Sequence, residues 1–95
     1  MTAPAYSRVV LKFTLEASGE TKIKLPTGSR TLSIATDGSK LSIFVLAWAE
    51  VKLTRDRTFY ARKTGEPWKG DGDRRCYVGT VSIKGTEVHV FSDEM

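Results

Sequence analysis

The sequence predicts an all-β protein, a small antiparallel β-sandwich or partly open barrel of about seven strands. Apolar and polar residues alternate along several short segments, and turn-forming residues separate these segments at regular intervals. In addition, no segment repeats its apolar residues with a convincing helical period. A chain of 95 residues has the length of one domain, so we expect a single β domain over residues 1–95.

The first three predicted strands alternate between apolar and polar side chains, which is typical of strands with one buried face. They cover residues 6–15, 21–25 and 30–36, with turns around Gly19 and Gly28 between them. The side chains expected in the core are Val9, Leu11, Phe13, Leu15, Ile23, Leu25, Leu32 and Ile34. Asp37 and Gly38 then predict a hairpin turn of type I′, which needs a positive φ at both central positions.

The fourth predicted strand, residues 41–48, is apolar at every position except Ser42. Such a segment indicates a strand covered on both faces, and its β-branched and aromatic residues favour strand over helix. We expect Trp48 to be buried there, so that Trp48→Ala would cost about 3–5 kcal/mol. Three more predicted strands complete the set, at residues 57–62, 76–83 and 87–91.

The only long irregular segment lies between the fifth and sixth predicted strands. Loops beyond ~12 residues in compact domains are often functional or mobile, so we predict a mobile loop at residues 63–75. We also expect frayed ends at residues 1–5 and 92–95. Trp68 follows a turn and has no alternating apolar neighbours, so we expect it to be partly exposed or covered only by another chain.

The net charge of +4 is concentrated in one quarter of the chain. Residues 52–75 hold eight basic and four acidic side chains, while the remaining residues balance to zero. Arginine interleaved with aromatic residues can hold phosphates and bases, or act as a protein-binding hot spot. The simpler interpretation is a solvated edge strand and loop, kept basic to discourage edge pairing. The candidate residues for binding protein or phosphate are Arg57, Tyr60, Arg62, Lys63, Trp68, Lys69, Arg74 and Arg75.

Catalytic and metal-binding chemistry has little basis in this sequence. One cysteine and one histidine, Cys76 and His89, cannot complete a tetrahedral zinc site of thiolates and imidazoles. The glycine and aspartate residues at 70–73 lack the terminal glutamate and flanking helices of a calcium-binding EF-hand. We therefore expect no metal, no cofactor and no enzymatic activity, and a catalytic alternative would depend on His89 and Cys76 alone.

Short motifs follow one another in order along nearly the whole chain. They include Leu-Pro-Thr-Gly at residues 25–28, Trp-Ala-Glu-Val at 48–51, Thr-Gly-Glu-Pro at 64–67, Tyr-Val-Gly-Thr-Val at 77–81 and His-Val-Phe at 89–91. The ordered set resembles a small β-domain family of unknown function found among bacteriophage proteins. The resemblance implies a phage-encoded accessory protein in the cytoplasm of a bacterial host. The loop at residues 68–75 is longer and more basic than this family's pattern.

Two functions from different classes follow from these features. The leading hypothesis is a non-enzymatic interaction module that binds a bacterial host protein, with Arg57, Tyr60, Arg62 and Trp68 as anchors on an exposed edge. The alternative is binding of a nucleotide or single-stranded nucleic acid, to sequester a defence signal, through the basic aromatic segment at residues 52–77. No apolar run approaches the ~20 residues of a membrane span, so we expect no membrane contact. A symmetric homodimer would enlarge the buried area of so small a domain.

Overall fold

The structure is a computed structural model that describes residues 7–67 and 76–93. These residues form seven strands, and every neighbouring pair within a sheet is antiparallel. The predicted all-β class is confirmed, and each predicted strand has a counterpart. The strands are β1 (Arg8–Leu15), β2 (Gly19–Pro26), β3 (Arg30–Asp37), β4 (Lys40–Trp48), β5 (Thr54–Lys63), β6 (Cys76–Ile83) and β7 (Thr86–Ser92).

Two sheets make up the sandwich, a three-stranded sheet in the order β1-β4-β3 and a four-stranded sheet in the order β2-β5-β7-β6. Each sheet buries one face, because apolar residues recur at every second position of its central strands. The core between the two sheets is formed by Leu15, Leu25, Leu41, Ile43, Val45, Phe59, Ala61, Ile83, Val88 and Val90.

The sheets come closest where β3 faces β6. A bulge interrupts β6 between Tyr77 and Gly79, and a Cβ atom on Gly79 would lie 3.2 Å from Cγ1 of Ile34. An isolated glycine in a strand often marks a bulge or a close approach of the backbone, and both features are present at this position. The missing side chain of Gly79 lets β6 pack directly against Ile34 of β3.

The predicted inward orientation of Leu32 is wrong. Thr31 pairs with Val45 and Ser33 pairs with Phe44, so Leu32 is an extra residue in the β3 ladder. A bulge of this kind changes the alternation of side chains, and Leu32 is 47% exposed. Ile34, which follows the bulge, is half-buried and packs against the core as predicted.

The hairpin between β3 and β4 forms, although its centre lies one residue further along than predicted. Asp37 pairs with Lys40, so Gly38 and Ser39 are the two central residues of the turn. Of this pair only Gly38 has a positive φ, at 65°. A type II′ turn needs a positive φ at its first central position alone, whereas the predicted type I′ turn needs it at both.

Trp48 does not fill the core as predicted. Along β4 the side chains of Leu41, Ile43, Val45 and Ala47 face the core and are buried. Trp48 directly follows Ala47, so its side chain points to the opposite face of the sheet. Its indole is half-buried on the outer face of the three-stranded sheet, where the guanidinium carbon of Arg8 lies 4.2 Å from the ring centroid. Gly28 lies against the edge of the same indole, because a Cβ there would be 3.4 Å from its Cδ1.

The limits of the ordered strands also differ from the predictions. Lys63 is the last residue of β5, so the predicted loop begins after it, and residues 68–75 lie outside the described part of the chain. At the other end, Ser92 is 1% exposed within β7, and the amide of Asp93 donates to the Thr58 carbonyl. The predicted fraying from residue 92 is therefore wrong for Ser92 and Asp93. Over the described ranges no helix is long and apolar enough to span a bilayer.

Candidate functional site

The candidate residues on β5 do not lie on an exposed edge. Because β5 lies between β2 and β7, both of its backbone edges are paired. Arg57 is only 6% exposed on the inner face, while Tyr60 and Arg62 belong to the outer face of the same sheet and Lys63 is exposed at the end of the strand. The remaining four candidates lie outside the described residues: Trp68, Lys69, Arg74 and Arg75.

Arg57 is held in place by polar groups at the end of β7. Its Nη2 donates a hydrogen bond to Oγ of Ser92 over 2.8 Å, and its Nε lies 3.5 Å from Oδ1 of Asp93. A guanidinium taken out of water needs such partners, because burial of an unpaired charge costs several kcal/mol. Arg57 is thus part of the interior rather than an exposed anchor for a protein.

A different surface, which the sequence did not single out, is more open. On the outer face of the three-stranded sheet, β4 contributes the half-buried side chains of Phe44, Leu46 and Trp48. Next to them Val10 of β1 pairs with Leu46 and is 58% exposed, and Leu32 of β3 is 47% exposed. The result is an apolar strip along the centre of the sheet with exposed apolar residues on both neighbouring strands.

Three cations surround this strip. In the ladder Arg8 pairs with Trp48, Lys12 pairs with Phe44 and Arg30 pairs with Leu46, and all three basic side chains are exposed. The rows of paired residues that run through Trp48, Leu46, Phe44 and Ser42 contain no acidic residue. We call this surface the basic apolar face; its residues are Arg8, Val10, Lys12, Arg30, Leu32, Phe44, Leu46 and Trp48.

The charge tally of the sequence hid this surface. Outside residues 52–75 the charges balance, yet none of the described acids there lies in the paired rows of the basic apolar face; Glu20, for example, lies on β2 and Glu87 on β7. The sequence feature that indicates this surface is the spacing of Arg8, Val10 and Lys12, which lie at every second position of the first strand and therefore share one face. It could be interpreted only with the knowledge that β1 pairs with β4.

The outer face of the four-stranded sheet carries a chain of hydrogen bonds around the only histidine. His89 Nε2 lies 2.7 Å from Oγ1 of Thr64, and its Nδ1 lies 2.8 Å from Oγ1 of Thr80. The Thr80 hydroxyl in turn lies 2.6 Å from the hydroxyl of Tyr77. Both ring nitrogens therefore have hydroxyl partners, and one donates while the other accepts in a neutral imidazole.

Cys76 and His89, on which the catalytic alternative depends, lie on opposite faces of the four-stranded sheet. Cys76 pairs with Ser92 on the inner face of the four-stranded sheet, whereas His89 belongs to its outer face. A thiol and an imidazole must approach within hydrogen-bond distance to act together, and the sheet separates these two. Among the residues that the structure describes, no three His, Cys, Asp or Glu side chains are grouped so that they could hold a metal ion.

Two packed antiparallel sheets define a small β-sandwich domain, and one of its outer surfaces is the basic apolar face. The chain belongs to the family described as a domain of unknown function (DUF7352), whose family model matches residues 6–95. No curated protein and no solved structure matches the chain. The function must therefore be argued from the surface itself.

Proposed function

We propose that this protein is a non-enzymatic interaction module that binds an acidic surface of another protein through the basic apolar face. The observation that carries the proposal is the exposure of Val10 and Leu32, at 58% and 47%, beside the half-buried Phe44, Leu46 and Trp48. Contiguous exposed apolar residues rimmed by polar ones are typical of protein interaction sites. Burial of this strip by a partner would release water from it and supply the main driving force for binding.

The charges on the face determine what kind of partner fits. Arg8, Lys12 and Arg30 all carry positive charge, so a complementary surface carries Asp and Glu around an apolar centre. A second copy of this chain stacked face to face would bring cations against cations. The face therefore favours an acidic partner over self-association.

Protein fits the face better than nucleic acid does. Three of the five apolar side chains, Val10, Leu32 and Leu46, are aliphatic and offer no ring on which a base could stack. In addition, the guanidinium of Arg8 already lies over the Trp48 ring. Nucleotide or single-stranded nucleic-acid binding through residues 52–77 is accordingly the second candidate and a separate outcome of the test below.

The biological setting belongs to the same proposal. The ordered motifs that resemble a phage protein family support a phage-encoded accessory protein, and a single cysteine suits a reducing bacterial cytoplasm. The partner is then a protein of the bacterial host with an acidic surface. Binding would change what that host protein can contact, without any chemical step by the phage protein.

The test compares two substitutions of the same charge. Val10→Glu places a carboxylate in the basic apolar face, and Ser82→Glu places one at an exposed position of β6, an edge strand of the other sheet. Immobilised wild type and both variants are incubated with nuclease-treated bacterial lysate, and the captured proteins are quantified by mass spectrometry. The proteins captured by wild type are then purified and their dissociation constants measured.

We expect wild type and Ser82→Glu to capture the same acidic protein in equal amounts. For Val10→Glu we expect its dissociation constant to rise about tenfold or more, as for loss of a central interface residue. Equal loss with both variants, or no enriched protein, contradicts the proposal. Capture that occurs only in a parallel incubation without nuclease would support nucleic-acid binding instead.

A further inference from the structure

One edge of the three-stranded sheet leaves the backbone of β1 open. Among the residues that the structure describes, β1 pairs with β4 alone. The amide of Ala49 donates to the carbonyl of Ser7, which makes these two residues a hydrogen-bonded pair at the start of the same ladder. Because hydrogen-bonded pairs alternate with non-hydrogen-bonded ones, every second residue of β1 directs its N–H and C=O groups away from β4. These residues are Arg8, Val10, Lys12 and Thr14.

β1 is also the most regular of the four edge strands. Native proteins commonly interrupt their edge strands with bulges or prolines, which prevent another strand from pairing with them. β3 and β6 each contain a bulge, and β2 ends at Pro26. β1 instead pairs without interruption from Arg8 to Leu15 and contains no proline. It is therefore the edge most suitable for an additional strand.

The side of β1 that faces the core is incompletely covered. Val9 has the same orientation as the buried Leu15, yet Val9 is 39% exposed. Leu11 and Phe13, which share this orientation, are only half-buried. Apolar side chains on a strand added beside β1 would contact these residues and remove their apolar surface from water.

The outward side chains of β1 determine the charge of the strand that fits. Arg8 and Lys12 are exposed on either side of Val10, and neither β1 nor β4 contains an acidic residue. Opposite charges on directly paired residues stabilise a sheet, whereas like charges destabilise it. A strand with two acidic residues four positions apart and apolar residues between them matches this edge. A second copy of β1 would bring further cations to it.

We infer that β1 receives an extended segment of the partner protein as a fourth strand of this sheet, with carboxylates opposite Arg8 and Lys12. In such strand addition, main-chain hydrogen bonds supply affinity and alternate side chains supply specificity. The inference rests on the proposed function, because it describes how the partner meets the basic apolar face. The face could still bind an acidic protein without an added strand, so the two can fail separately.

The probe is a synthetic peptide, Ser-Thr-Glu-Val-Ile-Val-Glu-Thr-Ser, and the readout is amide hydrogen exchange of the protein measured by NMR. In the free protein the amides of Val10 and Lys12 point away from β4, and at saturation with peptide they should exchange about tenfold or more slowly. The amides of Val9 and Leu11 already donate to β4 and should change little. Protection at alternate residues is the signature of an added strand.

Two N-methylated peptides test whether backbone hydrogen bonds hold the probe. Methylation of the central isoleucine removes the N–H group that would donate to the Val10 carbonyl, and it should raise the dissociation constant about tenfold or more. Methylation of the valine that follows it alters an N–H group that points away from β1, and it should raise the dissociation constant less than about twofold. The two peptides have the same charge and the same added methyl group, so they are matched.

Charge reversal tests the side chains opposite Arg8 and Lys12. Lys12→Glu should weaken binding of the peptide about fivefold or more, and a peptide with lysine in place of the facing glutamate should restore it. The position of the restoring lysine tells whether the peptide runs antiparallel or parallel to β1, and both directions support the inference. Lys22→Glu, on β2 of the other sheet, is the control and should leave the affinity unchanged.

Three results would overturn the inference: no saturable binding of the peptide, equal losses with the two methylated peptides, or binding that leaves the amides of Val10 and Lys12 unprotected. If an acidic protein captured from lysate binds and leaves these amides unprotected, the inference fails and the proposed function stands. Alternate protection by the peptide without any captured protein would contradict the proposed function instead.

Discussion

At the scale of single residues, Phe59 and Trp48 show how burial separates a structural aromatic from a binding one. Phe59 is 1% exposed in the core, whereas the indole of Trp48 is half-buried on the basic apolar face. We expect Phe59→Ala to cost about 3–5 kcal/mol, as for other buried aromatic residues. Trp48→Ala should cost less than about 2 kcal/mol, because the ring is only half-buried on the outer face and its loss leaves no closed cavity in the core. Urea unfolding measures both, and equal losses would place Trp48 in the core after all.

Gly79 gives a second residue-scale prediction. A Cβ at this position would lie 3.2 Å from Ile34, so Gly79→Val forces the two sheets apart and should cost about 1–3 kcal/mol. Ser82→Val, at an exposed position of the same strand, should change the free energy of unfolding by less than about 0.5 kcal/mol. Combining Gly79→Val with Ile34→Ala should recover part of the loss, because the smaller side chain makes room. Additive losses in the double-mutant cycle would argue against the contact.

Substitutions of Lys12 and Lys22 form a matched pair that tests whether the partner presents an acidic surface to the basic apolar face. Both are exposed strand lysines, one on β1 in the basic apolar face and the other on β2 in the four-stranded sheet. Against the purified partner, Lys12→Glu should raise the dissociation constant about fivefold or more at low salt, mainly through slower association. Lys22→Glu should change it less than about twofold, because that lysine lies outside the interface. The opposite order would mean that the partner binds the other sheet.

At the scale of elements, the bulge in β3 determines which residues face the core. Leu32→Ser changes an exposed side chain and should alter stability by less than about 1 kcal/mol. Deletion of Leu32 removes the extra residue, so Thr31 and Ser33 become neighbours in a regular ladder and the residues on both sides keep their partners and their faces. That deletion should therefore cost less than about 2 kcal/mol, measured by thermal or urea unfolding. A much larger loss would mean that Leu32 is required for the register of β3 and is not an extra residue in it.

The strands themselves could be predicted from the sequence, but the partner strands with which each one pairs could not. The alternation in residues 6–15 and the turn residues at Gly19, Gly28 and Gly38 are local signals, and these strands formed as expected. By contrast β1 pairs with β4, and β5 pairs with β2 and β7 rather than forming an edge. Pairing between distant strands depends on packing over the whole chain, which local periodicity does not contain.

The same limit explains what was missed at the candidate sites. We expected Arg57 to be an exposed anchor because it lies in the basic segment at residues 52–75. Its strand is paired on both edges, however, and its side chain faces inward. We expected Trp48 to be buried in the core because its whole segment is apolar. The alternation of side chains along β4 instead puts Trp48 on the outer face. Both corrections follow from strand order and register, which fix the face of every residue at once.

At the scale of the whole molecule, the charge on the basic apolar face predicts the oligomeric state of the protein in the absence of a partner. Two copies stacked by a twofold axis would oppose Arg8, Lys12 and Arg30 with one another, and the domain should therefore be monomeric at micromolar concentration and about 0.1 M salt. Sedimentation velocity measures this directly. A dimer that Val10→Glu dissociates and Ser82→Glu does not would mean that the face binds a second copy of this chain.

The central claim is that the basic apolar face contacts another protein, and site-specific photo-crosslinking tests it most directly. A photoreactive phenylalanine analogue replaces Val10 in one variant and Ser82 in another, and each folded variant is irradiated in nuclease-treated bacterial lysate. Both positions are exposed strand residues on edge strands of opposite sheets, so they match in access to the reagent. We predict a discrete crosslinked acidic protein from position 10 and not from position 82. Crosslinks from position 82 alone, or from neither position, would contradict the account.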